Sequence, residues 1–421
     1  MKTPPLLNAR RLVFWSAYLA LLVLLPLAVH KGYWLSLLCQ IGINTVFALS
    51  FNMLLGQTGL LSFGHAVYYG LGAFVTMHAL RAINASSLHF PITLVPLVGG
   101  AAGLLFGVAF GYVTTKRAGT TFAMISLGIG EMVAASSLMF PSFFGGEGGV
   151  SSNRVVGGKG LFGITYGPQI QMYYLIAGWA FLSILAMYAL TQTPLGRIAN
   201  AVRDNPERAE FVGYNPRRVR FLMMMLAGFF AGIAGGLTAL NYEIVTAESL
   251  SAYTSGLVIM MAFVGGIGVF FGPILGAALI TVLQIVVAGA TAAWPVYFGL
   301  IFLLVVLYAP GGIAGILLEQ MKLWRSGELR RLWPSYLLAL VPAVILVGAV
   351  IFLVEMSYAL VNSSQTGSSE VRVLGFGLDA GRALTWIAGA VALAIGVALL
   401  RAAAKRIAGD RYVPPLPQGR T

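Results

Sequence analysis

Charge is what this chain has least of. Only 9% of its 421 residues are Asp, Glu, Lys or Arg, where a soluble domain carries about 25%. Most of a solvated face is missing, which excludes an ordinary water-soluble globule. Acid is scarcer than base, 13 residues against 26. Cysteine is nearly absent: Cys39 stands alone in an apolar run, so neither a disulfide framework nor a thiolate metal cluster is available. The four histidines, His30, His65, His78 and His89, form no HExxH pair, and no GxSxG occurs. The nearest approach to a phosphate loop, "VVGGKG" (155–160), lacks the required glycine spacing and the hydroxyl residue after lysine. No catalytic set emerges, and the chain does not read as an enzyme.

What is present is apolar. Hydrophobic residues make up 58% of the chain, and the mean hydropathy is +0.87. Continuous apolar runs recur, each long enough to cross roughly 30 Å of hydrocarbon as a helix. Lipid offers no partner to an open backbone, so the runs must be helices or a closed barrel, and their lack of alternation selects helices. Twelve spans are expected, at about 12–29, 34–55, 62–80, 91–113, 120–140, 171–190, 219–241, 256–270, 272–290, 295–309, 335–355 and 383–400. With the N-terminus in the cytoplasm, 20 of the 26 Lys and Arg residues fall in cytoplasmic loops and tails and six outside. That is the positive-inside asymmetry. The expected fold is an all-α polytopic membrane protein with both termini cytoplasmic. The net charge of +13 needs no nucleic acid, because it suits an anionic inner leaflet. The segment 12–29 lacks a small-residue cleavage site and reads as a retained helix.

The expected organisation is an N-terminal segment with the first helix (1–33), then a compact glycine-rich core of about ten spans counting that helix (34–310). A basic cytoplasmic linker (311–334), an extra C-terminal helix pair (335–400) and a cytoplasmic tail (401–421) follow. Within the core, Gly99, Gly103, Gly107 and Gly111 recur every four residues, as do Gly228, Gly232 and Gly236. Small residues at that spacing let helix backbones approach closely. In "FVGGIGVFFGPILGAAL" (263–279) glycines crowd around Pro273, predicting a tight break between two spans.

The strongest local signal is a charged inside loop at 191–220, "TPLGRIANAVRDNPERAEFVGYNPRRVRF" from Thr193. Pro194 and Pro206 stand where helices begin, and Gly213 where one ends. Asn205 before Pro206 forms an N-cap with proline at the first helical position, and Glu207 and Glu210 suit the positive end of the dipole. A short capped amphipathic helix over Asn205–Val212 is predicted, available for docking a cytoplasmic partner.

This loop, together with "GQTGLLSFGHAVYYGLGAF" (56–74), "FAMISLGIGEM" (122–132) and the 263–279 motif, resembles the permease subunits of branched-chain amino acid ABC importers, of the LivM type. The urea permeases of ABC importers share much of the pattern. The resemblance covers about 44–310. It implies import of branched-chain or other hydrophobic amino acids by alternating access across the bacterial inner membrane. The implied partners are a homologous second permease (LivH type), two cytoplasmic ATPase subunits and a periplasmic solute-binding protein. No cofactor is implied in this chain, since ATP and Mg would be bound by the ATPases. The loop helix would be the coupling helix, with Arg197, Arg203, Asp204, Asn205, Glu207, Arg208, Glu210 and Gly213 as its contact residues. The helix pair beyond Trp333 exceeds the family core. Urea or a short amide stays open as substrate, as does a stand-alone secondary transporter or channel.

Polar residues inside the spans are the candidates for the pathway or gate: Asn44, Asn52, Gln57, Gly64, His65, Tyr68 and Glu131. Asn44 and Asn52 are eight apart, placing them as a stripe on one helix face. Glu131 reads as the one acid well inside a span, where an ionised carboxylate is costly and normally faces a cavity or a partner. It either meets the ammonium of a passing amino acid or gates the pathway, or else it caps a broken helix or pairs with the second permease. His65 is expected to serve as a hydrogen-bonder in the structure rather than a proton relay. Gly56, Gly59 and Gly64 predict a hinge beside the pathway, where an inner gate closes.

Overall fold

The computed structural model describes residues 9–28, 32–85, 90–155, 164–327, 329–366, 370–373, 376–379 and 382–411. His30, His89, residues 156–160 of "VVGGKG" and the tail beyond Arg411 lie outside them. Helices α1 (Ala9–Ala28), α2 (Gly32–Thr58), α3 (Ala66–Ala85), α4 (Val95–Thr114) and α5 (Gly119–Met139) lead the chain. A turn of helix α6 (Pro141–Phe144), the strand β1 (Val150–Ser151) and α7 (Gln169–Gln192) follow. Next are α8 (Pro194–Asp204), α9 (Pro206–Phe211), α10 (Pro216–Tyr242), β2 (Ile244–Val245), α11 (Ala252–Gly265) and α12 (Gly272–Ala290). The chain continues through α13 (Trp294–Tyr308), α14 (Gly312–Arg325), α15 (Leu329–Thr366), β3 (Glu370–Val373), β4 (Phe376–Asp379) and α16 (Ala383–Arg411).

Each of the twelve predicted spans falls on helix over most of its length, but 62–65 form a turn and 266–270 lie beyond the end of α11. Among the described residues, eight helices are by length and hydropathy able to cross a membrane, or nine if α13 and α14, bent by 48° at their junction, count as one span. The helices near 11–27 and 252–265 are apolar but shorter. At 1.5 Å per residue the 14 residues of α11 reach about 21 Å, short of the roughly 30 Å of hydrocarbon. The chain is an all-α polytopic membrane protein.

Contacts divide the chain into two compact units, Met1–Val286 with Leu304–Gly315, and Val287–Leu303 with Ile316–Thr421. The division differs from a boundary near 310, because the end of α12 and most of α13 cluster with the C-terminal pair. In the first unit α10 is the central helix, packed on α4, α3 and α2. The two glycine rows meet there. A Cβ on Gly103 would lie 2.1 Å from the Gly228 carbonyl oxygen, and one on Gly232 2.1 Å from that of Gly99. Only hydrogen at those positions permits the approach. The predicted break falls between α11 and α12, where Gly266 adopts φ +110°. β1 pairs antiparallel with β2 through Val150 and Val245.

In the second unit α15 and α16 pack as a hairpin joined by the β3–β4 pair: Gly389 sits against Phe352 and Leu353, and Gly396 against Leu346. The predicted linker is largely helical, since α14 and the start of α15 occupy it. Glu131 is not the one acid within an apolar helix. α15 runs on to Thr366, so Glu355 also lies inside an apolar window, Trp333–Val361, where its carboxylate accepts from Tyr297 Oη at 2.7 Å. Helix length, which periodicity leaves open by several residues, is the reason for the difference.

Candidate functional site

Three features of the first unit carry the polar groups. The first is the pair α8–α9. Thr193 caps α8 by accepting from the Gly196 amide at 3.4 Å, and Asn205 caps α9 by accepting from the Arg208 amide at 2.8 Å. Each cap satisfies an orphan donor and is followed by proline at the first helical position. Gly213 closes α9 at φ +91°, where glycine has no steric cost. α8 buries Ala199 and Val202 and packs on α2, α7 and α10. Arg197, Arg203, Asp204, Asn205, Glu207, Arg208 and Glu210 are all exposed. So are three apolar residues beside them, Phe211 at 91%, Val212 at 72% and Tyr214 at 45%. Sequence reasoning passed over these three; the signal was an apolar pair between Glu210 and Gly213 in a loop that is otherwise charged.

Arg203 ties α8 to the membrane helices. Its Nη1 donates to the Gly56 carbonyl, and its Nε and Nη2 face Asp204 Oδ1 at 3.0 and 2.9 Å. A Cβ on Gly59 would meet Arg203 Cγ at 3.1 Å.

That turn is the second feature. α2 ends at Thr58, Gly59 turns left-handed at φ +69°, and α3 begins at Ala66. The Phe63 amide donates to Ser126 Oγ of α5 and the Ala66 amide to Ser255 Oγ of α11, both at 3.1 Å. Gly64 presses on α5: its Cβ would lie 2.1 Å from the Ser126 carbonyl oxygen. His65 is fully buried, with Nε2 2.9 Å from Ser50 Oγ and its ring stacked on Phe47. Tyr68 is buried beside it. Asn52, Gln57, Ser62 and His65 each keep one buried polar atom without a partner among the described residues.

The third feature is a cavity of about 340 Å³ at the end of α10 remote from α8 and α9. Its wall is a hydrogen-bonded chain: Tyr242 Oη donates to Gln40 Oε1 at 2.7 Å, Gln40 Nε2 to Asn44 Oδ1 at 3.1 Å, and Asn44 Nδ2 to Thr281 Oγ1 at 2.8 Å. Opposite, Tyr69 Oη and Thr238 Oγ1 stand 2.7 Å apart. The predicted pathway residues are thereby divided. Asn52, Gln57, Gly64, His65 and Tyr68 share the buried layer around the turn, while Asn44 faces the cavity, with Tyr69 rather than Tyr68. Glu131 belongs to neither; it is exposed on α5, beside the Gly130 that touches Gly64.

The model of the family described as branched-chain amino acid transport system / permease component matches residues 33–310. The chain belongs to this permease family. Among its relatives, the high-affinity branched-chain amino acid transport system permease protein LivM of Salmonella typhimurium is 26% identical over 341 residues, 76% of this chain and 79% of the relative. The LivH permease protein of that organism is 23% identical over 288 residues, 64% of this chain and 90% of the relative. Its galactose/methyl galactoside import permease protein MglC is 27% identical over 311 residues, 66% and 88%. No solved structure matches the chain. Family membership therefore establishes a multi-pass membrane permease, and relatives named for a sugar and for amino acids leave the solute to be argued from the site.

One further residue escaped the sequence reading of this permease. Arg154, in a loop that looked merely glycine-rich, is buried, and among the described residues no carboxylate forms an ion pair with its guanidinium. The guanidinium donates to the carbonyls of Tyr166, Leu240, Asn241 and Gly167 at 2.9 to 3.4 Å. It closes the carbonyl end of α10, where a cation is favoured, and ties Tyr166 and Gly167 to that end.

Proposed function

We propose that the chain is one permease subunit of an ATP-driven importer of the bacterial inner membrane, moving hydrophobic amino acids into the cytoplasm by alternating access. A second, LivH-type permease, two ATPase subunits and a solute-binding protein complete the assembly. The observation that carries this is the α8–α9 pair: two capped helices whose charged and apolar outer surface is exposed while Arg203 holds their inner side to the Gly56 carbonyl. Such a surface is suited to receiving a partner, and such a bond to passing its displacement into α2 and the 56–65 turn. The turn in turn abuts α5 at Gly64. In this reading the turn is the inner gate, His65 supports it by packing, and exposed Glu131 faces the second permease or the solute path. Both termini and the α8–α9 pair lie in the cytoplasm.

Co-purification of the tagged chain tests the assembly. An ATPase pair and a second permease are expected, with solute uptake in proteoliposomes that requires ATP. Gradient-driven uptake by this chain alone would refute the reading in favour of a secondary transporter. Urea or a short amide is a second candidate solute, favoured by the carboxamides Gln40, Asn44 and Gln284 in the cavity wall.

A further inference from the structure

The cavity at the far end of α10 is uneven in its charge. Within the wall chain Tyr242 donates to Gln40, Gln40 to Asn44 and Asn44 to Thr281, and each carboxamide NH2 keeps a second N–H. Thr238 Oγ1 donates to the Ala234 carbonyl at 3.0 Å, so Tyr69 is the donor in the Tyr69–Thr238 bond. Tyr69 and Tyr242 have thus spent their protons inward and offer lone pairs to the cavity, and a third phenol, Tyr253, also lines it. On the rim stands Glu248, an acceptor-only carboxylate once ionised, and among the described residues the lining contains no Lys, Arg or His, so its one formal charge is negative. The opposite part of the lining, Phe47, Leu257 and Met261, is apolar. A few hundred Å³ suits a small solute.

We infer that this chamber is a solute-binding site contained within a single permease chain. It holds a small molecule by a donor-rich end, an ammonium or a primary amide, directed at Glu248 and the carboxamides, with an aliphatic portion on Phe47, Leu257 and Met261. A free carboxylate on the solute finds no cation here and is left pointing to the open side. The chamber therefore discriminates by functional group, not by size. The inference rests on the permease reading above and adds to it the location and polarity of a solute stop.

Direct binding to the full-length chain in nanodiscs tests it with three probes of one carbon skeleton: radiolabelled 3-methylbutylamine, 3-methylbutanamide as competitor, and 3-methylbutanoate as the carboxylate control. Saturable amine binding, competition by the amide and none by the carboxylate are expected. Glu248→Gln should weaken amine binding at least tenfold. Glu248 is exposed, so this variant preserves the fold; Asn44→Leu is the second, buried variant. Equal competition by 3-methylbutanoate, or amine binding unchanged in Glu248→Gln, overturns the inference. ATP-driven uptake by the assembled complex, measured in parallel, separates the two levels: a complex that transports normally with Glu248→Gln keeps the permease reading and loses the chamber.

Discussion

Gly64→Val is the sharpest perturbation of the proposed gate. Gly64 has no left-handed φ, so valine meets no backbone strain, and space alone decides its effect. Its Cβ would lie 2.1 Å from the Ser126 carbonyl oxygen and 3.3 Å from the Gly130 amide nitrogen. A carbon touches such an oxygen at about 3.3 Å, so the turn and α5 must part by about 1.2 Å. The obstacle is backbone, which no rotamer change relieves. Overpacking of this kind costs about 1–3 kcal/mol. The displacement also breaks the Phe63 amide bond to Ser126 Oγ, worth about 0.5–1.5 kcal/mol. Together the docked turn loses on the order of 1.5–4.5 kcal/mol, and since each 1.4 kcal/mol is tenfold, its population falls by at least about tenfold. ATP-driven uptake in proteoliposomes should drop accordingly, with membrane levels of the protein unchanged. Gly178→Val, at a site with nothing within 4 Å, serves as control. Uptake by Gly64→Val within twofold of the parent would falsify the gate.

Three further outcomes follow from the geometry. Arg203→Ala should lower solute moved per ATP at least fivefold by releasing the Gly56 carbonyl, while Asp204→Asn stays near the parent, since exposed ion pairs contribute about 0–1 kcal/mol; equal effects would place the function in the ion pair instead. Arg154→Ala strips four backbone carbonyls of a charged donor, a loss on the order of 3 kcal/mol, so limited proteolysis should cut 150–168 faster; an unchanged cleavage rate counts against the anchor. Thr281→Val leaves the Asn44 amide without its acceptor, a cost of about 1–3 kcal/mol readable in thermal unfolding, and Thr281→Ser should restore it.

Local physics made much of this molecule readable in advance. The caps at Asn205 and Pro206 need only neighbours three residues apart, and α9 begins where they predict. The glycine rows announced a close helix contact without naming the partner, because spacing records a face and not what lies against it. The candidate site was less readable. Asn44 and Asn52 share one helix, yet one faces the cavity and the other is buried near Gly56. Eight residues along a helix keep two side chains roughly on one side, and the neighbours at each level decide what they see. The acceptor of the Asn44 amide is 237 residues away, a pairing no window along the chain detects.

Sequence alone determined the solvent, the helical class and the capped loop, because hydropathy, backbone satisfaction in lipid and helix capping act over a few turns of chain. Tertiary structure alone decided that Arg203 reaches the Gly56 carbonyl, that Arg154 closes the end of α10, and that amides and phenols from α2, α3, α10 and α12 surround one chamber. Those contacts depend on how closely glycine-faced helices pack, and hence on the backbone positions of distant segments rather than on any local pattern.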